Sequence, residues 1–341
     1  PLWRTGNERR MTKIPAYLAR APRWLISAMF LGFLFAPLFA NPYQLFVGNL
    51  MLIYIVLAVA LNILIGYAGQ LAFANGVLFG IGAYTTGLLM LDGGWSFWVA
   101  FLASGLVTMM VGVLMALPAL RLHNLYLALA TVAFAQFVLW VFIQWDDVTY
   151  GAGGFVLPEV SFAPFPVTTP IGIYYTSLVV ASGLLWCAWN MLRSRVGRAF
   201  VAVRESEVAA AALTVDITNT KTLAYAISAL FSGFAGGLFA VVLGVVVPEQ
   251  FDLFQVVVVF CMVIVGGLGS FWGVVIAAGI LVWVQEAMRG LQGLQEVGFG
   301  ALLLATLLFF PGGIAEATRR LVPSWREPLN RAGKNSENSH D

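Results

Sequence analysis

Between Arg23 and Asp92 the chain runs for 68 consecutive residues without one charged side chain. A helix of about 20 apolar residues crosses the hydrocarbon of a bilayer. This run is therefore read as three spans, broken at "NPYQ" (41–44) and "GYAGQ" (66–70), where Pro and Gly punctuate the pattern. Downstream, the apolar runs 95–117, 125–145, 170–192 and 222–247 each fit one helix. The uncharged stretch 253–285 is interrupted by "GGLGS", and a last run, 297–311, ends at "PGG". Only 10% of residues are charged, against about a quarter in a soluble domain. The runs are continuous instead of alternating with period two, which argues against a barrel. The fold class is an all-α polytopic membrane protein.

Lys and Arg collect in the short loops on the cytoplasmic side. Arg4, Arg9, Arg10, Lys13, Arg20 and Arg23 precede the first span, and Arg319, Arg320, Arg326, Arg331 and Lys334 follow the last. Both termini are thus expected to be cytoplasmic, which requires an even number of spans. Taking 253–268 and 271–288 as two helices gives about ten. Arg121 and the segment 193–221 then fall inside, while Asp92, Asp146, Asp147, Glu159, Glu249 and Asp252 fall outside. Of the 18 basic residues, 17 are inside on this count, with Arg289 the exception. The expected organisation is a cytoplasmic basic segment (1–23), a transmembrane domain (24–311) carrying a cytoplasmic loop at 193–221, and a disordered cytoplasmic tail (312–341). The N-terminal basic residues are spread over 23 positions before a very long apolar tract, unlike a cleavable signal.

The chain lacks the residues that most chemistry needs. Cys187 and Cys261 lie inside apolar runs, so neither a metal site nor a disulfide is expected. The two histidines, His123 and His340, form no nucleophile–His pattern. ATP hydrolysis needs a glycine-rich loop ending in Lys and Ser or Thr, but "GK" occurs once, at Gly333–Lys334–Asn335. Ion coupling shows as ionisable residues within spans; only Glu286 and Arg289 qualify, near the expected outer end of the ninth. These features predict no enzyme and no metal or cofactor bound by this chain. A transporter so composed borrows its motor.

The contrast is the island "RSRVGRAFVAVRESEVAAAALTVDITNTK" (193–221), with eight charges in 29 residues. Its Ala-rich centre favours a short helix over 198–213, with Phe200, Val203, Val208 and Leu213 as an uneven apolar stripe. One reading is a helix lying among headgroups with its arginines on anionic lipid. The other is a helix that docks into a groove on a cytoplasmic partner. Glu205, Glu207 and Asp216, which anionic lipid would repel, favour docking. Arg198 and Arg204 then pair with carboxylates of the partner, and Glu205 and Glu207 with its basic groups.

The segment "GRAFVAVRESEVAAAALTVDITNTKTLAYAISALFSGFAGGL" (197–238) resembles the long cytoplasmic loop and following span of the M-type permease subunits of branched-chain amino acid ABC importers. "LNILIGYAGQLAFANGVLFGIGAY" (61–84) and "VGGLGSFWG" (265–273) are similar to other blocks of that family. The resemblance covers most of 50–315. Gly197, Arg198, Ala202, Arg204, Glu205, Glu207, Ala209 and Ala210 match the family's ATPase-coupling pattern, as do Lys221, Ser228, Gly233 and Gly236. Three departures stand out. Thr214 occupies the place of a usual glycine, "FAN" at 73–75 replaces "LGH", and "YGAGG" at 150–154 only loosely echoes an external "TGG". The resemblance implies two ABC ATPase subunits that bind ATP and Mg, a second, related permease subunit, an external solute-binding protein, and the bacterial inner membrane, with no nucleic-acid partner. It implies a branched-chain or other hydrophobic amino acid as substrate. Related importers carry urea, amides or aromatic acids, and a stand-alone ion-coupled carrier and a non-transport membrane scaffold are the remaining alternatives.

Ala229, Gly233 and Gly237, and likewise Gly76 and Gly80, recur at four-residue spacing, which lets helix backbones approach closely. The breaks "IGYAGQ" and "VGGLGS" echo one another about 200 positions apart, as transporter halves do. Gly66, Gly69, Gln70, Asn75, Gly266, Gly269 and Ser270 are accordingly candidates for a path or helix break, with a plain interhelical turn the alternative. Asn62, Asn75, Gln136 and Gln255 either line a route for a zwitterion or bond helix to helix. Glu249, Asp252 and Arg289 are the candidates for docking the binding protein, the acidic pair being equally the solvated face of an external loop.

Overall fold

The computed structural model describes residues 41–120, 122, 124–158 and 170–288, with isolated positions at 37, 298, 300 and 301. Helix α1 (Pro42–Asn62) continues into one π turn, Ile63–Tyr67. At its start Pro42 supplies a fixed φ, and the Gln44 side chain accepts from the Asn41 amide at 3.0 Å. There follow α2 (Asn75–Leu91), α3 (Phe97–Ala119), α4 (Asn124–Gln144) and α5 (Pro170–Arg193). Two short helices, α6 (Arg195–Glu205) and α7 (Glu207–Ala212), precede α8 (Ile217–Leu243), α9 (Leu253–Gly266) and α10 (Phe271–Met288). Seven of these are long and apolar enough to cross a membrane, and α2 is a shorter apolar helix. Apart from those isolated positions, the first expected span and the run 297–311 lie outside the described residues, as do both terminal segments, Arg121, Glu159 and Arg289.

Boundaries follow the uncharged runs to within a few residues, with one shift. The span expected at 222–247 begins at 217, because Asp216 caps it: its Oδ1 accepts from the Asn219 amide at 3.0 Å. Lys221 therefore belongs to a helix and not to the loop assigned to it.

Helices α1 and α8 form the centre, buried along most of their apolar length, whereas α4 and α5 are largely exposed. Small residues make the centre possible. A Cβ on Gly233 would lie 2.7 Å from Thr108 Cβ, and one on Gly237 the same distance from Thr86 Oγ1. On the next face, Gly236 lies against Phe79 and Ala83. Helix α8 thus wedges between α2 and α3 at backbone distance, the packing role its spacing predicts. Gly76 and Gly80 similarly admit Val256 and Phe251.

Loops gather at two ends. At one, the Tyr150 hydroxyl donates to Asp92 Oδ1 at 2.7 Å. Beside it, β1 (Phe155–Val156) pairs antiparallel with β2 (Val245–Val246), Phe155 opposite Val246. The Leu157 amide adds a bond to Gly244 O at 2.8 Å. Tyr84 stacks on Phe142 and meets Phe155 and Phe251 edge-on, seating this two-loop plate on α2 and α4. The plate carries residues expected outside. The opposite end joins the segments around 66–70, 204 and 267–270, all expected inside.

Candidate functional site

The island folds as two helices, where a single helix over 198–213 is expected from composition. Ser206 breaks it. Its backbone is extended (φ −162°, ψ 114°), its amide closes α6 onto Ala202 O at 3.1 Å, and its hydroxyl accepts from the Ala209 amide at 3.2 Å to open α7. One serine is both the last cap of α6 and the N-cap of α7. A Ser followed by Glu at a helix start is a legible signal for this. Ser194 opens α6 the same way, accepting from the Val196 amide at 3.2 Å.

The predicted apolar stripe divides at the same point. Phe200 and Val203 are buried with Gly197 on one face of α6, whereas Val208 and Leu213 are 83% and 73% exposed. The break turns α7 so that Val208 and Leu213 point off the body. Gly197 is demanded by the tight turn from α5: a Cβ there would lie 2.5 Å from the Leu192 carbonyl carbon.

Two polar ties hold the island to the spans, and both differ from the expected pairing with a partner. Arg204, although exposed as a residue, turns Nη1 toward the spans, where it donates to Gly66 O, at the π turn ending α1. The side chain crosses Gly69, where an added Cβ would be 2.6 Å from Arg204 Cγ, and reaches Gly269, where one would be 2.8 Å from Nη1. Gly69 and Gly269 have positive φ, +69° and +75°, a region glycine adopts without steric cost. The second tie is Glu207 with Lys221, Oε1 to Nζ 2.7 Å, joining α7 to α8. Lys221 is nearly buried, so its ammonium takes the closest carboxylate.

Arg204 therefore lies where the two glycine breaks meet. Asn62 clamps them: its Oδ1 accepts from the Gly269 amide at 3.0 Å and its Nδ2 donates to Ser270 O at 3.1 Å. Of the break candidates, Gly66, Gly69, Gly269 and Ser270 are brought together. Asn75 lies elsewhere, donating to Ser228 Oγ at 3.0 Å and Ser232 Oγ at 3.1 Å, and Ser228 in turn donates to Ala60 O at 2.8 Å. Gly266 packs on Val274, and Gln70 reaches Ala68 O at 3.4 Å. Nothing local in the sequence marks Asn62 as the clamp, because its partners are more than 200 positions away.

The remaining matched positions separate by exposure. Ala210 is buried and Ala202 half-buried, whereas Arg198, Glu205 and Ala209 are exposed. Arg198 Nη1 donates to Arg193 O at 3.3 Å, across the α5–α6 turn. Thr214, standing for a glycine, has φ +62°, which explains the preference at that place. At the plate, Glu249 is exposed, whereas Asp252 Oδ1 caps α9 through the Gln255 amide at 3.0 Å.

A bundle in which seven of the described helices are long and apolar enough to cross a membrane defines a helical, multi-pass membrane protein. The chain belongs to the family of permease components of branched-chain amino acid transport systems, whose sequence pattern matches residues 44–311. The chain is 32% identical over 297 residues to the high-affinity branched-chain amino acid transport system permease protein LivM of Salmonella typhimurium, covering 80% of this chain and 70% of the relative. The LivM protein of Escherichia coli matches to the same extent. No solved structure matches the chain.

Proposed function

We propose that this chain is the membrane-spanning permease subunit of an ABC importer. It translocates branched-chain or other hydrophobic amino acids delivered by an external solute-binding protein. Two separate ATPase subunits supply ATP and Mg, and a second, related permease stands beside it in the bacterial inner membrane. Ten spans with both termini cytoplasmic complete the arrangement. The island, residues 193–221, is the coupling element.

The observation that carries this reading is the double attachment of the island. One helix, α6, is fixed to the glycine breaks through Arg204, and the next, α7, to α8 through Glu207 and Lys221. The exposed Val208 and Leu213 remain as an apolar tip, with the exposed Glu205 close by in sequence. A tip so held transmits displacement into the spans instead of absorbing it, and its rim charges fix register more than they add affinity. Closing of the ATPases on nucleotide would then move α6 and α7 as one piece and shift the inner ends of α1, α8, α9 and α10.

The test is mild solubilisation from native membranes and mass spectrometry of what accompanies the chain, followed by uptake in reconstituted vesicles. Two Walker-motif ATPases, a second permease and ATP-dependent leucine uptake are the expected result. ATP-dependent uptake of urea, amides or aromatic acids alone would transfer the reading to a related importer. Uptake by the chain alone on a pH gradient would replace it with an ion-coupled carrier.

A further inference from the structure

We infer that the α5–α6 turn holds the headgroup of an anionic phospholipid, with one acyl chain lying along the exposed stripe of α5. The inference goes beyond the transport reading and requires only that α5 spans a bilayer, which its 24 residues are long and apolar enough to do.

The charges of the island are not evenly mixed. Arg193, Arg195 and Arg198 are exposed at its root, ahead of Glu205, Glu207 and Asp216. Arg204 and Lys221 have partners inside the chain. None of the three root arginines makes an ion pair among the described residues. Arg198 folds back across the turn, Nη1 donating to Arg193 O at 3.3 Å, which gathers positive charge instead of dispersing it. Like charges on one turn repel, and an anion seated there removes that cost.

The turn stands at the height of a headgroup. Arg193 is the last residue of α5, and its guanidinium carbon lies 5.8 Å over the Trp189 ring. Trp189 in turn packs on Trp272 of α10, ring centroids 5.5 Å apart. Trp concentrates where hydrocarbon meets headgroups. A guanidinium held over an aromatic face keeps its fork of N–H groups free for a phosphate.

Toward the middle of α5, Val179, Gly183, Trp186 and Asn190 form an exposed stripe at three- and four-residue spacing that leads to Arg193. Gly183 leaves a notch in it, where an added Cβ would meet nothing within 4 Å. From Arg193 to Gly183 the helix rises about 15 Å, one leaflet's share of a hydrocarbon core about 30 Å thick. A phosphate at the turn, the Asn190 amide at the ester level and an acyl chain over Gly183 beside Trp186 fit one lipid. A second membrane protein fits less well, because it would have to bring carboxylates to the edge of the hydrocarbon to neutralise the arginines.

The test uses the full chain, in the assembly isolated from native membranes, reconstituted in phosphatidylcholine vesicles. The probe is phosphatidylglycerol with a photoreactive diazirine in one acyl chain. Labelling is expected in the peptide containing 179–190, displaced by unlabelled phosphatidylglycerol and unaffected by inorganic phosphate. In the double variant Arg193→Gln, Arg195→Gln the affinity should fall about 30-fold, the contribution of two basic side chains at an anionic surface. Gly183→Leu, which fills the notch and leaves the charges in place, should drive the label out of that peptide. Labelling unchanged in the double variant, or matched by a phosphatidylcholine analogue, overturns the site as ordinary solvating lipid. Displacement by inorganic phosphate overturns it in favour of a soluble anion, and an unlabelled α5 that cross-links to another protein overturns it in favour of a protein interface. Each of these leaves the transport reading standing.

Discussion

Neutralising Glu207 in Glu207→Gln tests the attachment of α7 directly. In the native chain Oε1 lies 2.7 Å from Lys221 Nζ, with Lys221 11% and Glu207 50% exposed. At that separation the gross attraction is about 1.5 kcal/mol in water and about 6 kcal/mol at an effective dielectric constant of 20. Desolvation of the lysine and the entropy of two fixed side chains leave a net of about 1–3 kcal/mol, between exposed and buried pairs. The two ends are unequal. Glu207→Gln strands a nearly buried ammonium, whereas Lys221→Met leaves a carboxylate that water can reach, so the glutamate variant should be the more damaging. Native-state hydrogen exchange reads the local opening. The amides of Ala210 and Leu213, bonded to Ser206 O and to Ala209 O, should exchange about 5- to 150-fold faster in Glu207→Gln, the same energy expressed as a ratio. The swap Glu207→Lys with Lys221→Glu should restore most of the protection, and with it the solute moved per ATP. Unchanged exchange in Glu207→Gln, or a swap no better than either single change, refutes the tie.

Other outcomes follow from neighbouring geometry. Thr214→Gly should stabilise the chain by about 0.5–1 kcal/mol, the left-handed penalty of a β-branched residue less the freedom glycine returns to the unfolded chain, read by thermal unfolding in detergent. Ser206→Ala should cost about 1 kcal/mol of helix stability, visible as faster exchange at Ala209 while the interior of α6 is unchanged. Gly269→Ala introduces a Cβ 2.8 Å from Arg204 Nη1 at φ +75°, so it should depress uptake as far as Arg204→Ala does, and the two changes together should not add. The hydrogen bond to Asp92, and the carboxylate's charge, raise the Tyr150 phenol above its ordinary 10.0. A raised phenol favours the folded state below pH 10.0, and that contribution disappears as pH climbs through the folded value. Asp92→Ala should return the phenol toward 10.0 in an ultraviolet titration corrected with Tyr150→Phe.

The spans were legible because exclusion of charge is a property of each stretch by itself. The run 170–192 reappears as Pro170–Arg193, and the parity argument that divides 253–288 places a turn where Gly267 and Gly269 make one. The island was legible as charged and helical from contrast alone. Its internal design was not. Composition merges α6 and α7, because helix propensity summed over the segment outweighs the local signal of Ser206 and Glu207. The contacts of Arg204 and Glu207 within the chain were not legible for a different reason: Gly66 and Lys221 are contributed by spans that local pattern cannot bring near. The echo between the two glycine breaks was readable as likeness. Only their meeting, through Asn62 and Arg204, turns likeness into a joint.

Helix α8 starts at the Asp216 cap beside the island and runs 27 residues to Gly244, where the plate begins. At about 1.5 Å per residue it is a strut some 40 Å long. It is gripped along its length by α2 and α3 at glycine-to-backbone distance, so it cannot easily bend. A load on the plate along this axis arrives at Lys221 with no intervening loop to dissipate it. The two ends of the bundle thus share a single mechanical member, and a strain sensor placed at either end would report on the other.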